Sequence, residues 1–124
     1  MRTLPTRASV CFAVSAALLS FTFTITQARA DEPAYVGTWA SDLAQCKTPQ
    51  DSQEAPLVLS ADSYDQHETH CKFKSAEGAD NSWKVSSDCT IEGAAQPYDF
   101  SLTVSGDTLT VADDTGSRDL LKCK

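Results

Sequence analysis

The chain is predicted to be all-β: a small antiparallel up-and-down meander of about seven or eight strands, closed or nearly closed into a barrel and held by two disulfides. Three observations predict this. After residue 30 the apolar residues recur with period two rather than 3.6, turn signals return about every 9 to 15 residues, and four cysteines stand in the same stretch.

The first thirty of the 124 residues have the three parts of an export signal. Arg2 and Arg7 make a basic start, Ala8 to Ala28 is uncharged, and Ala28-Arg29-Ala30 is a small-residue exit with cleavage expected after Ala30. Cys11 leaves with this segment. The domains are therefore expected to be a signal peptide, 1–30, and a single barrel-like domain, 31–124, that is periplasmic or secreted. Its 94 residues have room for one core and are marginal on packing alone, so cross-links matter.

The elements follow in order. Strands are expected near Tyr35 to Ala40, Leu57 to Leu59 and Tyr64 to Lys74, with one helical turn at Ser41 to Gln45 capped by Ser41 or Asp42. The clearest strand places Trp83, Val85, Cys89 and Ile91 on one face and Lys84, Ser86, Asp88 and Thr90 on the other. Tyr98, Phe100, Leu102 and Val104 repeat the pattern, Leu109 and Val111 continue it, and the last strand runs from Arg118 to Cys123. Turns are expected at Glu77-Gly78-Ala79-Asp80-Asn81, Glu92-Gly93, Ser105-Gly106-Asp107 and Asp113-Asp114-Thr115-Gly116, whose Gly, Asn and Asp tolerate positive φ. Pairing the first strand with the last removes the exposed edges of such a sheet. Trp39, Phe73, Trp83, Phe100 and Leu102 are expected to fill the interior, leaving little room for a ligand.

Cys46, Cys71, Cys89 and Cys123 read as two disulfides in an exported chain, and spacing alone allows three connectivities. A hairpin turning near Gly78 sets Cys71 opposite about residue 85, roughly 13 Å along the strands from Cys89. That disfavours a Cys71–Cys89 bond and leans toward Cys46–Cys71 with Cys89–Cys123.

Residues 31–124 hold seven basic and 17 acidic side chains, a formal charge of −10. This argues against nucleic acid and anionic membranes, and favours a cationic partner or simple solubility. Asp65-Gln66-His67-Glu68-Thr69-His70-Cys71 contains both histidines, making His67, Glu68 and His70 the candidate metal ligands. On a strand, His67, Thr69 and Cys71 point one way and Glu68 and His70 the other, so three ligands do not converge locally. The spacing also differs from the His-Glu-x-x-His zinc helix. Asp114-Thr115-Gly116 matches the aspartic-protease core triplet but has only eight residues after it, and reads as a turn. A Ser87–His67 arrangement lacks the Gly-x-Ser-x-Gly elbow, and no phosphate or calcium loop is present. The expectation is a protein that is not an enzyme and uses no cofactor.

Gly37-Thr38-Trp39 resembles the Gly-x-Trp that opens the first strand of calycins, the superfamily of lipocalins and avidins. The resemblance implies that Trp39 closes one barrel end beneath a basic residue of the last strand, Arg118 first or else Lys122. The chain departs from lipocalins by being far shorter. It is also similar to small periplasmic inhibitors of secreted bacterial metalloproteases, which begin Gly-x-Trp, carry a cysteine several residues later, here Cys46, and end on a basic tail, here Leu120 to Lys124. That likeness implies an N-terminal arm, Asp31, Glu32, Pro33, Ala34 and Tyr35, that enters a protease cleft. A further likeness is to small exported proteins of Gram-negative bacteria, which implies no activity. The expected partner is a protein, a cationic target such as lysozyme or another secreted hydrolase, with no membrane contact after signal cleavage. The alternatives are metal binding through His67, His70 and Glu68, and a structural role in the envelope.

Overall fold

The computed structural model describes residues 32–124. The expected signal peptide, Cys11 and Asp31 lie outside the described residues. Eight antiparallel strands form a closed barrel in chain order: β1 (Gly37–Ala40), β2 (Leu57–Leu59), β3 (Ser63–Gln66), β4 (Thr69–Ala79), β5 (Ser82–Ile91), β6 (Ala94–Ser105), β7 (Thr108–Asp113) and β8 (Gly116–Lys122). Closure is made by Trp39 opposite Lys122 and Ala40 opposite Leu121, with the Cys123 N–H donating to Thr38 O at 2.9 Å.

Period-two alternation decides which side chains enter. On β5, Trp83, Val85, Ser87 and Cys89 are buried while Lys84, Asp88 and Thr90 face water. Phe100, Leu102 and Val104 of β6, Leu109 and Val111 of β7 and Leu120 of β8 extend the same interior. Tyr35 packs edge-on against Trp83 at 5.0 Å between ring centroids; Phe73 meets Phe100 at 5.8 Å, and Phe100 meets Tyr64 at 5.6 Å. Such contacts each add about 0.5–1.5 kcal/mol beyond area burial. The aromatic side chains thus fill the interior, as the sequence predicts.

Three expectations are corrected. The run from Tyr64 to Lys74 is two strands, because the chain turns at His67 and Glu68. His67 has φ 51° there, and its N–H donates to Gln50 Oε1 at 2.9 Å. The helical turn is a 3-10 helix shifted to Leu43–Lys47, with the Asp42 carboxylate accepting from the Ala44 N–H at 2.8 Å.

The third correction is the disulfide pairing. The bonds are Cys46–Cys123 and Cys71–Cys89, not Cys46–Cys71 with Cys89–Cys123. The β4–β5 hairpin turns at Asp80 and Asn81 rather than near Gly78, with Ala79 opposite Ser82 and Asp80 at φ 63°. A bulge between Phe73 and Ser75 takes back one residue of the resulting shift. Cys71 then stands directly opposite Cys89, with Cα atoms 4.0 Å apart.

Candidate functional site

In an up-and-down barrel alternate turns fall at alternate ends, so the β3–β4, β5–β6 and β7–β8 turns share one end. There the interior-facing positions change from apolar to polar. Gln66, Tyr98, Asp113 and Arg118 have the same alternation parity as the core residues Tyr64, Phe100, Val111 and Leu120, and form a ring at the mouth.

Arg118 Nη2 donates to Tyr64 Oη at 2.6 Å and to Gln66 Oε1 at 3.0 Å. Gln66 Nε2 donates to Ala55 O at 2.9 Å, tying the ring to the long β1–β2 connection. Tyr98 Oη donates to Asp113 Oδ2 at 2.7 Å, and Asp113 Oδ1 accepts from the Thr115 N–H at 2.8 Å and from its hydroxyl. Burial pushes the Tyr64 hydroxyl above the usual tyrosine range, partly countered by the Arg118 guanidinium. Burial, then the bond to Asp113, raises Tyr98 further. The Thr115 hydroxyl and then Tyr98 hold the Asp113 carboxyl down at about 2. The ring therefore sets the Arg118 guanidinium on the Tyr64 phenol and the Asp113 carboxylate on the Tyr98 phenol, with the two tyrosine rings packed edge-on at 6.4 Å between centroids.

Shallow grooves flank it. One of about 290 Å³ lies between Tyr98, Thr115, Ser117 and Arg118; another of about 230 Å³ is bounded by Gln53, His67, Glu68, Ile91, Glu92 and Arg118. A larger groove, about 450 Å³, crosses the outer face of β4 to β7 past Ser75, Glu77, Lys84, Ser86, Asp99 and Ser101.

The expected site residues are scattered. His67 Nδ1 is 3.1 Å from Gln50 O, whereas His70 Nδ1 is 2.9 Å from its cross-strand partner Asp65 on the outer face. Glu68 approaches His67 Nε2 only to 3.9 Å. Among the described residues no three His, Cys, Asp or Glu side chains gather around a common point. Ser87 is fully buried and donates to Tyr98 O at 2.7 Å, which commits its hydroxyl to the fold.

Trp39 is covered by Lys122, whose Nζ is 5.5 Å from the ring centroid, and not by Arg118. Both side chains have the same parity, and register decides between them: Lys122 is level with Trp39, while Arg118 lies four residues, about 13 Å, along β8. Of the arm candidates, Glu32 and Ala34 are exposed and Pro33 is half-buried. Tyr35 belongs to the core at 1% exposure, its hydroxyl donating to Ala61 O and its carbonyl accepting from Trp39 Nε1. Sequence reasoning missed Tyr64, Gln66, Tyr98 and Asp113 as a group; polar residues at core parity near the strand ends were the signal for it.

No protein-family model, curated protein or solved structure matches the chain.

Proposed function

We propose that the chain is an exported, disulfide-stapled binding protein without enzymatic activity, whose partner is another protein and foremost a secreted hydrolase. One observation carries this reading: side chains, from Tyr35 and Trp83 through Phe100 to Tyr64, fill the barrel where a larger calycin would hold a small molecule. Recognition is then left to the outer face and the rims, where a partner of protein size can reach. The two disulfides support work in an oxidising compartment. The charge of −10 over residues 31–124 favours fast encounter with a cationic target.

The test is capture from periplasmic and secreted extracts with the oxidised domain at low and high salt, followed by assay of the captured hydrolase. Inhibition that weakens with salt is the expected result. Capture of no protein at either salt sinks the reading. Deleting Glu32 to Ala34 examines the arm separately: if those residues enter a metalloprotease cleft, inhibition disappears while the fold, anchored from Tyr35 onward, persists.

A further inference from the structure

β3 covers β4 only as far as Lys72 opposite Ser63, with one further bond from the Phe73 N–H to Asp62 O at 2.8 Å. Beyond it Lys74 is the bulge residue and Ser75 to Ala79 pair with β5 alone, and among the described residues no backbone hydrogen bond reaches the other side of this stretch. All six residues are exposed. This leaves about 20 Å of open sheet edge, long enough to template a guest strand.

The contrast with β6 shows that this edge is open beyond its first residue. β6 also runs beyond its neighbour, since β7 pairs with it only from Ser101 onward, but there Pro97 interrupts the row of donors. Proline, outward lysines and β-bulges are the usual protections against edge pairing. The β4 edge has no proline, its bulge is confined to its first residue, Lys74, and that one lysine is drawn toward β5, with Lys74 Nζ 3.5 Å from Asp88 Oδ1. Its other residues, Ser75, Ala76, Glu77, Gly78 and Ala79, leave the backbone accessible apart from one carboxylate.

The second observation concerns charge. The 450 Å³ groove begins at this edge, at Ser75 and Glu77, and its lining sets Glu77, Asp99 and Asp113 against the single cation Lys84. A guest strand's outward side chains meet a negative surface there.

We propose that Lys74–Ala79 is a docking edge to which an extended, basic segment of a partner protein adds as a ninth strand, with a lysine or arginine side chain beside Glu77 and the Asp99 carboxylate adding to the negative field. This rests on the protein-binding reading above and names the surface it uses. Backbone pairing supplies affinity, and the alternating charges supply selectivity. A second copy of the chain is a poorer guest, since it brings the same Glu77 and the same net negative charge.

The probe is a blocked peptide alternating lysine with valine, together with two analogues N-methylated on one or the other set of alternate amides. In a strand, alternate amides face the same neighbour, so one analogue should lose at least about tenfold in affinity and the other should keep it. Hydrogen exchange at Lys74–Ala79 should slow on binding. Glu77→Lys with Asp99→Lys, both exposed, should weaken the peptide about tenfold without unfolding the barrel. Equal binding of all three peptides, no binding, or protection elsewhere overturns the proposal. So does protection of Lys74–Ala79 by self-association, which would make a second copy the occupant. If the charge-reversed domain captures the same extract proteins as the native one, the edge proposal fails while the binding reading stands; capture of none by the native domain fails the binding reading instead.

Discussion

Tyr98 joins the aromatic interior to the charged rim: its ring stacks on Phe100 at 4.8 Å and its hydroxyl donates to Asp113. Folding therefore favours neutral Tyr98 and ionised Asp113, and the consequences have opposite signs at the two ends of the pH scale. A tyrosine raised in the folded state contributes stability that is complete below its ordinary value of 10.0 and is lost as pH climbs beyond it. A depressed carboxyl contributes stability that is present above its ordinary value of 3.8 and disappears as pH falls to about 2. Tyr98→Phe should cost about 1 kcal/mol at neutral pH through the lost hydrogen bond. It should also flatten the fall in stability above pH 10 and weaken the acid limb. Urea midpoints of the native and variant proteins across both limbs read this directly; parallel curves would show that the two groups are uncoupled. Ser87→Ala tests the interior counterpart, with a loss of about 1 kcal/mol expected from leaving Tyr98 O without its 2.7 Å donor.

Hairpins are the level at which the sequence is read best and misread most. β5, β6 and β7 were legible because alternation runs through them uninterrupted and Glu92-Gly93 and Gly106 mark the turns, with Gly93 and Gly106 at φ 82° and 58°. The β3–β4 turn was not, because His67 takes the left-handed conformation that glycine or asparagine normally signals. At β4–β5 the glycine misled. Gly78 has no positive φ; it lies within the strand opposite Trp83, where an added Cβ would fall 2.0 Å from Ser82 O and 2.7 Å from Trp83 Cα. Its role is close approach of backbones rather than turning. Placing the turn centre at Asp80 and Asn81 moves the partner of Cys71 onward by five residues and the bulge returns one, which converts residue 85 into Cys89. Gly78→Ala should thus destabilise the domain by about 2 kcal/mol or more, because backbone rather than a flexible side chain must yield. Asp80→Gly should stabilise it by up to about 1 kcal/mol by relieving a positive φ. Thermal midpoints of the two variants should move in opposite directions, and a shared direction would contradict this account of the hairpin.

At the scale of the whole molecule, closure depends on a seam as short as any in the barrel. β1 meets β8 through only two register pairs, as β2 meets β3, whereas β4–β5 and β5–β6 each run ten. The sequence made a closed meander legible through alternation and turn spacing, but the residue that faces Trp39 across the seam depends on register. Lys122 and Arg118 are indistinguishable by parity, and only the pairing of Trp39 with Lys122 separates the residue that covers the ring from the one at the mouth. The Cys46–Cys123 bond reinforces this seam, tying the 3-10 helix after β1 to the residue after β8 over 77 positions. Chain entropy assigns about 4.5 kcal/mol to a loop of that length and about 3 kcal/mol to the 18-residue Cys71–Cys89 loop. Against a total of about 5–15 kcal/mol for a small domain, either loss is large, but the structural consequences should differ. Cys46→Ser with Cys123→Ser should accelerate hydrogen exchange first at Gly37–Ala40 and at Leu120–Lys122, because a seam of two pairs can open while the six other strands remain paired. Cys71→Ser with Cys89→Ser removes a cross-link from the middle of a long hairpin and buries two hydroxyls in its place, so exchange should rise across β4 and β5 together with global unfolding. Uniform exchange in both variants would mean that the barrel opens only as a unit and that the seam is no weaker than its longest hairpin.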